Sequence, residues 1–318
     1  MHSPLIIIFG PTGVGKTDFA EKLARYFESE IVNADLGQFY TPLSIGTAKP
    51  DWRSSPIAQH LFDCINEPQT ITAMHYRDMA LQVCQEIENR NALPLLVGGS
   101  GFYIKSLFFA PCKGTVKKEH TLPENSSWEL LNQIDPERAT QIHPHDKYRI
   151  ARALDIYYIT GKKPSSQAPV YTAPTSFCFI YLTRDKQDLY ERINKRTQIM
   201  MEQGWIEEVK RLQNTPWEVF LKKRKFIGYD DILNYLEGEK TIQDEDMLIQ
   251  VITQKTRNYA KRQITFGNRL FEQLEHEIAQ SSDTKSSCIR FNLTHGAHEL
   301  YLEQLMPIIA ALKNDKKK

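Results

Sequence analysis

Short apolar runs punctuate the chain at residues 4–9 (Pro-Leu-Ile-Ile-Ile-Phe), 30–34, 92–97 and 176–182. Each is too short for a helix and rich in β-branched residues, leucine or aromatics, so each reads as a buried strand. Between them, 18–24 and 73–90 carry apolar residues at helical spacing. Strands alternating with helices predict an α/β fold around a parallel sheet. Further helices are predicted over 189–196, 230–237 and 247 to about 266, with a helix-turn-helix over 200–209. The rhythm breaks between 111 and 175. That stretch is polar and turn-rich over 113–127, then holds two helices, from 128 and over 145–160, the second stopped by Gly161-Lys162-Lys163-Pro164. It reads as an insertion, so the chain divides into a core of 1–110 with 176–318 and an inserted helical domain of 111–175. The lysine-rich end from Lys313 to Lys318 reads as a disordered tail.

The first strand runs into Gly10-Pro11-Thr12-Gly13-Val14-Gly15-Lys16-Thr17, which matches G-x-x-x-x-G-K-[ST]. Such a turn aims backbone N–H groups at an anion, and the helix it opens adds its positive dipole end. Lys16 is placed to reach terminal phosphate oxygens and the Thr17 hydroxyl to ligate Mg²⁺ riding on them. The motif binds any di- or triphosphate and by itself does not imply hydrolysis.

Asp35 ends the second strand, where a carboxylate of a parallel sheet points into the ligand crevice. The third run ends in Gly98-Gly99-Ser100-Gly101 and lacks the magnesium-holding acid of phosphate-loop ATPases. Ser100 offers a hydroxyl there, and the glycines admit close approach of a ligand. Arg192 and Arg196 lie one helical turn apart beyond the fourth strand, where planar guanidinium groups clamp phosphates. Both also suit surface ion pairs.

The composition, 41% apolar and 25% charged, is that of a globular chain, and no run of about twenty uncharged apolar residues exists to span a membrane. Cys64, Cys84, Cys112, Cys178 and Cys288 are scattered without a C-x-x-C pair, and no secretory leader precedes the first strand, so a cytoplasmic setting is expected. The formal net charge of +1 hides local basic patches: Lys222–Lys225; Lys147, Arg149 and Arg152; and 247–271, which holds Lys255, Arg257, Lys261, Arg262 and Arg269 without any acid. Tyr259 and Phe266 interleave with that last set, an arrangement suited to a nucleic-acid backbone and its bases as well as to a solvated basic face. On the same helix Leu248, Val251, Ile252 and Tyr259 are expected to face the core. No heptad seam argues for assembly, so a monomer is expected.

The ensemble resembles the bacterial-type tRNA dimethylallyltransferases (tRNA isopentenyltransferases) over most of the chain. The resemblance rests on the phosphate loop, Asp35 with Gln38 and Tyr40, Ile45 to Pro50, Val97 to Tyr103, His143-Pro144 with Asp146, Arg149-Ile150 with Arg152-Ala153-Leu154, Glu202 to Val209, Ile227-Gly228-Tyr229, and Thr256-Arg257 with Ala260 to Thr265. It implies a P-loop NTPase-like core, Mg²⁺, and transfer of a dimethylallyl group from dimethylallyl diphosphate to N6 of the adenosine beside the anticodon (position 37) of tRNA. It further implies Asp35, Thr17 and Arg196 as catalytic residues and a diphosphate site of Gly10 to Thr17 with Ser100 and Arg196. The implied tRNA contacts are Asp35, Leu36, Gly37, Gln38 and Ser100, then Tyr148, Arg149, Ile150, Ala151 and Arg152, then Lys225, Phe226, Ile227, Gly228 and Tyr229, with Arg257, Lys261 and Arg262.

Four departures from the family pattern carry expectations. Leu36 stands where serine is usual, which is expected to loosen Asp35 or adenine recognition. Ser100 replaces threonine and keeps the oxygen. Asp230-Asp231 follow Tyr229 where a basic residue is common, which is expected to weaken a phosphate contact, and the inserted stretch between Pro111 and Trp128 is short. A phosphate-loop kinase of a nucleotide or metabolite uses the same loop and arginines, and a nucleotide-regulated RNA-binding protein uses the same basic helix. The acid-free strand end and the basic C-terminal helix stand against the kinase, and a carboxylate beside the diphosphate stands against the binding protein.

Overall fold

A computed structural model describes residues 4–110, 127–167, 169–238, 242–281, 285–296 and 298–313. Of the turn-rich stretch predicted at 113–127, residues 113–126 lie outside the described residues, as do Cys112 and the tail beyond 313.

In chain order the elements are β1 (Leu5–Phe9), α1 (Lys16–Phe27), β2 (Ser29–Asn33), β3 (Gln59–His60), α2 (Ala73–Asn89), β4 (Leu93–Gly98), α3 (Gly101–Phe108), α4 (Trp128–Ile134), α5 (Pro136–Thr140), α6 (Lys147–Thr160), β5 (Phe177–Thr183), α7 (Lys186–Glu202), α8 (Trp205–Lys210), α9 (Pro216–Arg224), α10 (Tyr229–Leu236), α11 (Glu245–Gln280), β6 (Ser287–Asn292) and α12 (His298–Lys313). The strands form one six-stranded sheet in the order β3-β2-β4-β1-β5-β6. All its pairings are parallel. β1 sits inside the sheet with every residue fully buried, as its unbroken apolar run requires when both faces are covered. The turns leaving β1, β2 and β4 therefore open at the same carboxyl edge, the usual ligand edge of such a sheet.

The chain divides into two compact units, 1–107 with 173–318 and 108–172. The smaller unit has its own core, Leu131, Ala139, Ile142, Ile150, Ala153 and Leu154. Its helix α6 starts on Asp146, whose carboxylate accepts the Arg149 N–H at 3.1 Å, and stops at left-handed Gly161.

Three parts differ from the sequence expectation. Helix α11 runs to Gln280 rather than about 266, and its ends carry Glu245, Asp246, Glu272, Glu275 and Glu277, so only its middle is purely cationic. Strand β6 has an unremarkable sequence, Ser-Cys-Ile-Arg-Phe-Asn, because it closes an edge of the sheet and is buried only in part. Helix α12 buries Leu302, Leu305, Ile309 and Leu312 at helical spacing against the main core. Its last residue, Lys313, assigned to a disordered tail by sequence, instead donates to the Phe27 carbonyl at 2.9 Å.

Candidate functional site

The phosphate loop is held open by cationic side chains that occupy its carbonyls. Lys16 Nζ donates to the Gly10 and Pro11 carbonyls at 3.1 and 3.2 Å, Arg192 Nε to Gly13 O at 2.9 Å, and Arg184 Nε to Val14 O at 2.8 Å. Capping the oxygens in this way removes negative ends that would repel an anion and leaves the N-terminal amides of α1 facing the cleft. Gly15 turns the chain at φ 102°, a left-handed conformation that disfavours any side chain. Arg196 adds a third guanidinium, 3.5 Å from the Thr12 hydroxyl. Burial lowers the pKa of both Lys16 and Arg196; Asp35 opposes this for each.

Asp35 leaves β2 at the loop's flank. Its Oδ1 accepts the Gly99 N–H at 2.6 Å, and its Oδ2 lies 3.9 Å from Lys16 Nζ. Its backbone N–H donates to Asn33 Oδ1 at 2.9 Å. The carboxylate is 29% exposed, so one oxygen is anchored while the group remains reachable. The anchor is a backbone amide of the β4 turn and so does not depend on the side chain at position 36. The Leu36 N–H itself donates to Ser100 Oγ at 2.9 Å, tying the two turns together.

These groups line one cleft of about 880 Å³ within the larger unit. From the sequence-predicted set it gathers Thr12, Gly13, Gly15, Lys16, Thr17, Asp35, Leu36, Gly37, Gln38, Ser100, Arg196, Lys225, Phe226, Ile227, Tyr229 and Arg262. Gly10, Pro11 and Val14 are buried behind the loop's surface. Gly228 is buried too, and Arg257 is turned away, bonded to Asn194 Oδ1 and stacked on Tyr190. Lys261 is exposed outside the lining. Tyr229, at 1% exposure, presents an edge to the cleft but is otherwise core. In the smaller unit Tyr148, Arg149 and Arg152 are exposed on α6, Ala151 is half-buried, and Ile150 is turned into the core, which excludes its side chain from a surface contact.

Other expectations also change. Gly98 and Gly99 make room for protein rather than ligand: a carbon built on Gly98 would overlap the Ala34 backbone, and one on Gly99 the Gln263 amide. Lys49, in the Ile45 to Pro50 segment that carries part of the resemblance, is 4% exposed and paired with Asp63. Tyr259, assigned to the core, lines the cleft. Asp231 is 2% exposed, accepts the Gly228 N–H at 3.0 Å and pairs with Lys255, so it caps α10 rather than facing a phosphate.

Sequence reasoning gave no role to Glu208, Trp205 or Gln263. Buried Glu208 accepts N–H bonds from Ser44, Ile45 and Gly46 at 3.0, 2.8 and 3.3 Å and the Tyr229 O–H at 2.7 Å. The Trp205 indole is wedged between Gly46 and Gly228, where a carbon on either glycine would overlap it. Gln263 accepts from Thr12 N–H and donates to Gly99 O, both at 2.9 Å. A polar residue on the buried Ala260, Gln263, Gly267, Leu270 stripe of α11 was the available signal.

Residues 38–270 match the family model described as IPP transferase. A tRNA dimethylallyltransferase from Thermotoga maritima is 34% identical over 284 residues, covering 86% of this chain and 92% of that protein. This chain belongs to the IPP transferase family. Another relative, a tRNA dimethylallyltransferase from Fervidobacterium nodosum, is 36% identical over 91% of this chain and 95% of its own length. The full-length tRNA isopentenylpyrophosphate transferase structure from Bacillus halodurans superposes with a TM-score of 0.66 at 27% identity, covering 99% of this chain and 98% of that one. A eukaryotic dimethylallyltransferase acting on tRNA gives 0.67 at 28% identity over 83% of this chain and 69% of its own. In this IPP transferase-family fold the loop, Asp35 and the α7 arginines form one wall system.

A magnesium ion riding on a substrate's phosphates fits the site. Among the described residues no group of three or more His, Cys, Asp or Glu could hold a metal. The cleft does offer the Thr17 hydroxyl beside Asp18, and Mg²⁺ takes most of its remaining ligands from phosphate oxygens and water. No helix among the described residues is long and apolar enough to cross a membrane.

Proposed function

We propose that this protein transfers a dimethylallyl group from dimethylallyl diphosphate to N6 of the adenosine beside the anticodon of tRNA (position 37), releasing diphosphate. The observation that carries this reading is the Asp35 carboxylate, anchored on Gly99 N–H with its second oxygen toward Lys16, in the same cleft as the loop and Arg196. The α1 amides, Lys16 and Arg196 hold the diphosphate and meet the charge that gathers on the oxygen joining carbon to the α-phosphorus as the C–O bond breaks. Magnesium bound through Thr17 would supply further neutralisation of the leaving group. An exocyclic adenine amine is a poor nucleophile, and Asp35 Oδ2 takes its proton as the C–N bond forms. The electron pair of the broken bond leaves with diphosphate. No water-activating acid is needed, which fits the glycines that end β4.

The adenosine must leave its stack, at a cost of a few kcal/mol. Exposed Lys225 and Arg262 on the cleft wall, and Tyr148, Arg149 and Arg152 on α6, are the groups we assign to the tRNA backbone and loop.

The test is incubation with magnesium, dimethylallyl diphosphate and unmodified tRNA, followed by mass spectrometry of the digested nucleosides. A five-carbon gain on the adenosine beside the anticodon is expected, abolished by a chelator and reduced about 10²-fold or more by Asp35→Asn. Undiminished turnover by Asp35→Asn refutes the assignment of the base. Absence of product from the intact protein refutes the function.

A further inference from the structure

We propose that Gln263 is a positioning residue that holds the phosphate loop and the Asp35 carboxylate in register. The inference rests on the reading of Asp35 as the base. The backbone pairing of β1 with β4 ends at Phe9 and Gly98. Gln263, reaching in from α11, supplies one more rung in side-chain form. Its Oε1 accepts the Thr12 N–H at 2.9 Å and its Nε2 donates to the Gly99 carbonyl at 2.9 Å. The same Gly99 peptide unit turns its N–H to Asp35 Oδ1 at 2.6 Å. One continuous path therefore runs from the loop that carries the donor's phosphates, through a single side chain, to the group that receives the proton.

The chemistry of the rung admits only an amide of this length. It needs an acceptor and a donor side by side, and Gln263 is 6% exposed, so losing the amide leaves the Gly99 carbonyl and the Thr12 N–H poorly partnered. Glutamate keeps the acceptor but turns a lone pair on the Gly99 carbonyl. Leucine keeps the bulk and loses both bonds. Asparagine is one methylene short. Position 99 has no room for a side chain because the Gln263 amide fills it. Arg262, the preceding residue, lines the cleft, so α11 also brings the rung to the side on which we place the tRNA.

The test compares Gln263→Leu, Gln263→Glu and the unaltered protein in steady-state transfer to tRNA, in pyrophosphate binding and in thermal melting. A shift of about 1 Å between base and donor costs roughly 10²-fold, so kcat of Gln263→Leu is expected to fall by that order while KM for tRNA stays within about threefold. Gln263→Glu is expected to match Gln263→Leu at pH 8. Its activity relative to the unaltered protein is expected to rise as pH falls toward the ordinary glutamate range, because the protonated carboxyl regains the donor that faces Gly99 O. The same ratio for Gln263→Leu stays flat. A residue that merely fills space gives a Gln263→Leu kcat within twofold of normal, or flat ratios for both variants, and either result overturns the inference while leaving the proposed function standing. No transfer by the unaltered protein overturns both.

Discussion

Glu208→Ala probes how the cleft wall is built. The carboxylate is 4% exposed and accepts three backbone N–H groups and one phenol O–H. Each donor left dry costs about 1–3 kcal/mol. Two effects offset part of this: water enters the space that truncation vacates, and the carboxylate's own desolvation cost disappears. The net loss is expected near 3 kcal/mol, or roughly 4–6 °C in melting temperature. Glu208→Gln keeps an oxygen for Ser44 and Ile45 and turns its NH₂ to the Tyr229 oxygen, so only Gly46 meets a donor and the loss is expected near 1 kcal/mol. The loop concerned also carries Thr47 and Ala48, whose carbonyls accept the Gln38 amide at 3.1 and 3.3 Å, so transfer to tRNA is expected to fall more than stability alone explains. Urea unfolding followed by tryptophan fluorescence measures the stability terms. A Glu208→Ala loss below about 1 kcal/mol, or equal losses for the two variants, refutes the view that this carboxylate organises the loop.

Gly228→Ala combines a left-handed φ of 83° with overlap of the Trp205 ring, and is expected to cost more than about 2 kcal/mol; adding Trp205→Leu should return part of that, and strict additivity in the double mutant would contradict the wedge. For Lys16, burial depresses the amine below its ordinary range, with Asp35 opposing and Arg196 assisting. Between that lowered value and the unfolded value of about 10.4 the unfolded chain holds the extra proton, so stability rises with pH across the window. A bound diphosphate restores the proton, so its affinity falls as pH rises through the same window and binding takes up protons. Calorimetry in two buffers of different ionisation heat measures this uptake, and proton release refutes it.

The sheet and its ligand edge were legible because each strand buried on both faces must be an unbroken apolar run, and because the phosphate loop is a local motif. Strand β6 was not legible, since an edge strand needs no such run. Helix α12 carries a readable period, but its role depends on docking against a distant core.

The candidate site divides in the same way. Asp35, Lys16, Thr17 and Arg196 could be named from position in the chain, because strand ends and loop residues of a parallel sheet share one edge whatever surrounds them. Which of the surrounding polar groups face ligand and which face protein depends on partners far along the chain. Lys49 turned inward to Asp63, Asp231 to Lys255 and the Gly228 amide, and Gln263 to peptides of two separate turns. A buried polar atom must find a partner, and sequence states that need without saying who meets it. The sequence by itself determined the buried strands, the loop chemistry and the family; the tertiary structure alone decided the hydrogen-bond partners that aim the carboxylate, because those bonds join residues whose proximity exists only after the chain has packed.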